Sequence, residues 1–199
     1  MNNKLFDALN TRRSRYMLSK KSTLSNEELE TLLQNALKLT PSAFNSQAGK
    51  IVLLLNDNHT KLWEIVKGTL KKLVSQEQWA QTESKVNAFE KAYGTVLFFE
   101  DMDIIENLQT KFPTYKETFS IWSDEQAGML QLSVWVSLSE NNMGASLQHY
   151  NPIIDDEVKE TFNLPKNWKL MAQMPFGVSL EEPAEKPKLP ISERLIIKK

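Results

Sequence analysis

Five consecutive aliphatic residues, Ile51 to Leu55 ("IVLLL"), set the first limit on what this chain can become. A strand exposed on one side alternates apolar with polar residues, whereas an unbroken apolar run suits a strand covered on both faces. Two later stretches also read as strands: "TVLFFE", Thr95 to Glu100, and "KLMAQMPFGVS", Lys169 to Ser179, ending near Gly177. Helices separate them. Leu5, Ala8 and Leu9 recur at helical spacing and predict a short helix over Asn3 to Asn10. Ser25 and Glu28 form a capping box ahead of Leu29, Leu32, Leu33, Ala36 and Leu37, which share one face until Pro41 ends the helix. After a turn at Asp57 and Asn58, Leu62, Ile65, Val66, Leu70 and Leu73 mark another helix, and Val86, Phe89 and Tyr93 a further amphipathic stretch. The longest helix is expected from Ser123 or Asp124 to about Asn141, with Ala127, Leu130, Val134, Trp135 and Leu138 inward and Gly144 turning the chain out of it. One more covers Asp155 to Phe162. At 199 residues, 41% of them hydrophobic, the chain suits a single domain over 1–199.

Charge and cysteine content remove several functions. A net charge of -1 leaves no electrostatic footprint for nucleic acid, which requires a basic face or a markedly basic total. The absence of cysteine excludes disulfides, thiolate metal sites and a cysteine nucleophile. No segment reaches the roughly 18 apolar residues of a membrane span, and the N-terminus carries no apolar signal run, so a cytoplasmic protein is expected.

Against this neutral background, "TRRSRY", Thr11 to Tyr16, concentrates three arginines and a serine just past the end of the first helix. Such a cluster either complements the helix dipole or holds a small anion. "PSAFNSQ", Pro41 to Gln47, is a loop rich in side-chain oxygens and amides, and doubles as a plain helix-to-strand connection. "GASLQHYNP", Gly144 to Pro152, combines small residues that permit close backbone approach with the donors and acceptors of Gln148, His149, Tyr150 and Asn151. Between Asp103 and Trp122 the periodicity loosens around Pro113, and Phe112, Tyr115, Phe119 and Trp122 form either a lid or a packed excursion. From Glu181 the chain changes character, with four prolines between Pro175 and Pro190, and an extended C-terminal arm over 181–199 is expected. It ends in the apolar Leu195 to Ile197, which calls for cover.

Those motifs, in that order and at those distances, together with "MPFGVSLEEPAEKPKLPISERL", resemble the nitroreductase family of FMN-dependent oxidoreductases. The resemblance runs from about Lys4 to Leu195 and is greatest to the short branch that includes fatty-acid-repression-type and copper-induced bacterial nitroreductases. It implies an α+β, three-layer fold: a central, mostly antiparallel sheet flanked by helices, with the C-terminal strand exchanged in a homodimer. It implies FMN as cofactor, NAD(P)H as reductant, and small aromatic acceptors such as nitro compounds or quinones, reduced by ping-pong hydride transfer through flavin N5. A flavin-binding regulator or storage protein would keep the same contacts without turnover.

On the same resemblance, Arg12 and Ser14 match the family's Arg-x-Ser grip on the FMN phosphate, with Arg13 beside them and Lys186 or Lys188 joining from the arm. Ser42, Asn45 and Gln47 match a loop facing the ring and ribityl chain of a cofactor held by the partner subunit. The backbone of Ser146, Leu147, Gln148 and His149 matches the segment over the isoalloxazine face, where a main-chain N–H would meet N5. No side chain is assigned as catalytic and no metal is expected. Tyr16 stands where many relatives carry a basic residue, and Gln47, Ala48 and Gly49 replace a common Gln-Pro-Trp.

Overall fold

The computed structural model describes residues 3–199. Its frame is a four-stranded antiparallel sheet in the order β1-β2-β4-β3, where β1 is Gly49–Leu55, β2 Gly94–Asp101, β3 Gly144–Ala145 and β4 Trp168–Gly177. β2 is central and nearly all buried. Its side chains alternate, as the pleat requires. Val96 and Phe98 join Met174 and Phe176 beneath helices α2 (Asn26–Leu39) and α6 (Lys116–Glu140), while Leu97 and Phe99 face α3 (Asn56–Leu73), α4 (Gln76–Glu90) and α7 (Asp155–Thr161). Two cores on opposite faces of one sheet make the expected three-layer α+β fold.

A bulge explains one irregularity in β4. Phe98 pairs with Ala172 but Phe99 pairs with Leu170, so Met171 is the extra residue. The slip reverses the side-chain alternation, and Leu170 enters the core opposite to Ala172 and Met174.

The aliphatic run of β1 is packed on both faces, yet only Leu54 is fully buried. β1 is an edge strand, and no strand among the described residues covers its outer side. Asp57 and Asn58 fall in the first turn of α3; the break comes at Asn56, which adopts a left-handed φ of 52°. The region of loosened periodicity is mostly helical. α5 spans Met102–Lys111, Pro113 begins a single 3-10 turn, and α6 starts at Lys116, before the expected Ser123. Proline suits the first position of a helical turn, where no N–H is required. Phe112, Phe119 and Trp122 pack against Ile105 and Ala48, so this stretch is a packed excursion.

The helix expected over Asn3 to Asn10 is α1, Lys4–Thr11, with Asn3 as its N-cap. Asn142, at φ 58°, makes the turn after α6 that was expected of Gly144. Gly144 has a different duty. A Cβ there would come within 2.9 Å of Leu18 Cδ2 and 3.0 Å of Arg15 Cβ, so a bare backbone lets the arginine segment lie against β3. Residues 181–190 form no regular element, and a single 3-10 turn follows at Ile191–Glu193. Leu195, Ile196 and Ile197 are exposed in the single chain. Among the described residues, no helix is long and apolar enough to cross a membrane, and no cluster of side chains is arranged to hold a metal.

Candidate functional site

The arginine segment leaves α1 at Arg12 and is stitched to the far end of the fold. Ser14 bridges Ala145 in parallel, and the Arg15 N–H donates to the Ala145 carbonyl at 2.9 Å. Leu18 bridges Ser179, and Leu180 N–H donates to Met17 O. Two motifs more than a hundred residues apart in the chain thereby become neighbours.

The three arginines divide their work. Arg13 Nη2 donates to the Ala184 carbonyl, and Arg15 Nη1 donates to Glu181 O and to Glu182 Oε2. Both tie down the start of the C-terminal arm. The half-buried Arg12 guanidinium donates no hydrogen bond among the described residues and lies 4.4 Å from the ring centroid of Trp135 on α6. Burial, then the neighbouring Arg13 charge, draws Arg12 below the usual arginine range, though it remains a cation. Beneath it, Trp135 Nε1–H is buried and has no partner among the described residues.

The arm returns its lysines to the same place. Arg12, Arg13, Lys186 and Lys188, with Leu9 and Asn10, line one cleft of about 430 Å³. Four cationic side chains meet there, and no carboxylate is among the lining residues. Such a donor set fits a phosphate group. Both lysines reach the cleft, and neither is favoured over the other by this geometry.

The segment after β3 continues as an irregular edge. Ser146 and Gln148 donate their N–H groups to Pro175 O and Gln173 O, and both residues are buried. By strand alternation the intervening N–H groups of Leu147 and His149 face the other way, and neither has an intrachain acceptor among the described residues. Leu147 is half-buried and His149 exposed. Two main-chain donors are thus left available beside the arginine segment.

Ser42, Asn45 and Gln47 lie on a loop of unusual backbone. Phe44, Asn45 and Gln47 all have left-handed φ angles of 50–56°. Such angles are uncommon outside glycine and concentrate at functional sites. The loop is held by Ser42 Oγ accepting from Gln47 N–H at 3.0 Å, by Lys50 Nζ on Gln47 O at 3.1 Å, and by Ser46 Oγ donating to Gln126 Oε1 of α6 at 3.0 Å. Phe44, half exposed, has its ring 4.9 Å from Phe112 and 6.0 Å from Trp122, nearly parallel to the latter. Ser42 and Gln47 line a second cleft of about 240 Å³ with Gly49, Gln126 and Leu130, which none of the arginines lines.

Within the chain, Arg12, Arg13, Ser14, Lys186, Lys188 and Ser146 to His149 are brought to one region, and Ser42, Asn45 and Gln47 to another. Sequence reasoning missed Trp135 and Gln126 as neighbours of these regions. Trp135 was legible only as part of a buried helical face, and nothing in the pattern around Gln126 distinguishes it.

The three-layer α+β fold thus carries a cationic cleft and free main-chain donors at one sheet edge. The chain belongs to the nitroreductase family, whose sequence pattern matches residues 9–178. HBN1 of Saccharomyces cerevisiae is 32% identical over 180 residues, 89% of each chain. The nitroreductase CinD of Lactococcus lactis, solved with nicotinic acid, is 37% identical with a TM-score of 0.91, covering 98% of this chain and 100% of that one. CinD has also been solved with 4-nitrophenol, at 38% identity, TM-score 0.89 and the same coverage. A protein of Exiguobacterium sibiricum solved with FMN shares the fold at 15% identity and TM-score 0.72, covering 100% of this chain and 99% of that one.

Proposed function

We propose that the protein is a cytoplasmic, homodimeric FMN-dependent NAD(P)H oxidoreductase that reduces nitroaromatic or quinone-type acceptors. The observation that carries this reading is the cationic cleft of Arg12, Arg13, Lys186 and Lys188, joined through the Ser14–Ala145 pairing to the free N–H groups of Leu147 and His149. When bound, FMN would supply two-electron hydride chemistry between NAD(P)H and an acceptor.

Each residue then has a role set by its surroundings. Arg12 grips the phosphate, and the Trp135 ring beneath keeps the guanidinium in place. Arg13 anchors the arm at Ala184, which carries Lys186 and Lys188 into the cleft. Ser14 offers its hydroxyl to the same anion. The N–H groups of Leu147 and His149 orient the flat ring and stabilise electron density gained at its edge. Nicotinamide and acceptor share one face in turn, a course the family resemblance implies and the lack of a Gly-x-Gly-x-x-Gly stretch fits. CinD has been solved with nicotinic acid and with 4-nitrophenol, molecules that resemble a nicotinamide and a nitroaromatic acceptor. The exposed side of Phe44 supplies a flat surface for the acceptor.

The separation of the two clefts supports a dimer in which Ser42, Asn45 and Gln47 complete the partner's site. The uncovered outer side of β1 and the exposed Leu195, Ile196 and Ile197 support an exchanged C-terminal strand. NAD(P)H oxidation by the FMN-loaded protein, with and without an added quinone or nitroarene, tests the activity. Acceptor-dependent oxidation is expected. A yellow protein inert toward every acceptor would indicate a flavin-binding regulator instead.

A further inference from the structure

Behind the Ser42–Gln47 loop lies a buried hydrogen-bonded chain that the proposed reaction does not use. Glu100 of β2 is fully buried, and its oxygens accept from Ser123 Oγ and Gln126 Nε2 of α6 at 3.0 Å. The other end of the Gln126 amide faces the loop, where Oε1 accepts from Ser46 Oγ at 3.0 Å. Gly49 makes the room: a Cβ there would lie 3.3 Å from Gln126 Nε2 and 3.5 Å from Glu100 Oε1.

The charges acting on Glu100 are Lys50 on β1 and Asp124 on α6; Asp101 follows it on β2 and Lys169 is its register partner on β4. Lys50 Nζ lies 3.9 Å from Asp101, and Lys169 Nζ lies 3.3 Å from Asp124. Among the described residues Glu100 itself has no ion-pair partner. Burial, opposed by the Ser123 and Gln126 hydrogen bonds and by Lys50, pushes its carboxyl up to about 7.

Resting on the flavin reading above, we infer that Glu100 is a positioning residue whose protonation state sets the hydrogen-bond polarity of Ser46 through the Gln126 amide. An ionised carboxylate only accepts, so the amide turns its NH2 toward Glu100 and its oxygen toward Ser46, whose proton is held inside the network. A protonated carboxyl gains one donor and keeps one acceptor oxygen: its Oε2 goes on accepting from Ser123 Oγ, and the proton on its Oε1 faces the Gln126 amide. The amide then turns over, Oε1 accepts from Glu100, Nε2 donates to Ser46 Oγ, and the Ser46 proton is released to point out of the network. The loop thus presents an acceptor at high pH and a donor at low pH. A flavin ring edge is rich in oxygen and nitrogen acceptors, so FMN binds more tightly below the midpoint. One hydrogen bond gained corresponds to about fivefold in affinity.

The test uses the full-length protein. The Gln126 side-chain amide resonances, followed by NMR without FMN from pH 5.5 to 8.5, are expected to titrate near pH 7 in the wild type and in Ser46→Ala, and to stay still in Glu100→Gln. Over the same range the ratio of wild-type to variant FMN affinity, in which the phosphate's own titration at about pH 6 cancels, is expected to change about fivefold for both variants. A Gln126 signal that does not titrate, or that titrates alike in Glu100→Gln, overturns the relay. A ratio of wild-type to Ser46→Ala affinity that stays flat across the range overturns its link to the loop. If no FMN binds at any pH while Gln126 titrates as described, the relay stands and the flavin reading falls.

Discussion

Replacing Arg12 by alanine separates binding from folding. Among the described residues, the favourable contact of its guanidinium is the stack on Trp135 at 4.4 Å, worth about 1 kcal/mol for a half-buried pair. The apoprotein should therefore melt only about 2–4 °C lower. Toward phosphate the same group supplies a charge-assisted hydrogen bond of about 1.5–3 kcal/mol, and its burial limits competition from water. The expected loss in FMN affinity is about tenfold to over a hundredfold, measured by flavin fluorescence quenching. Arg12→Lys should fall between, because it keeps the charge without the planar fork. The reasoning is refuted if Arg12→Ala binds FMN within threefold of wild type, or if the apoprotein loses far more stability than the stack can supply.

The lysines give a paired test: Lys186→Ala and Lys188→Ala, each titrated with FMN, should show one variant behaving like Arg12→Ala and the other like wild type. Glu100 gives a pH signature. Its folded value of about 7, against an ordinary 4.5, means the fold favours the protonated form. That stabilisation is complete below the unfolded value and is lost as pH rises through the folded one, by about 3 kcal/mol in all. Glu100→Gln should therefore gain stability relative to wild type between pH 4.5 and 8 in denaturant melts, and an unchanged difference would contradict the burial argument. Deleting Arg194 to Lys199 should shift sedimentation toward monomer and release flavin together.

How far the sequence disclosed this molecule depended on where its partners lay along the chain. Local signals came through intact: the capping box of Ser25 and Glu28 forms with Ser25 N–H on Glu28 Oε2 and Glu28 N–H on Ser25 Oγ. The strands at Gly94–Asp101 and Trp168–Gly177 were legible from their apolar content, but the bulge between Phe98 and Phe99 was not, because it depends on the facing strand. The start of α6 was obscured because Phe119 and Trp122 bury themselves against Ala48 and Phe44 rather than along an aliphatic stripe. At the site, the arginines announced an anion by composition. Their division into one free group and two arm clamps did not show, since it follows from Ala184 and Glu181, more than 160 residues away. Glu100 looked like the polar end of a strand. Its significance comes from Ser123 and Gln126, which only the tertiary fold brings beside it.

The most direct test of the central claim is an anaerobic titration of the purified protein with FMN, read by visible absorbance and followed by addition of NAD(P)H. The account predicts a yellow complex of one FMN per chain, whose flavin bands bleach with NAD(P)H and return when a nitroarene or quinone is added. A protein that stays colourless after incubation with FMN and gel filtration would contradict it.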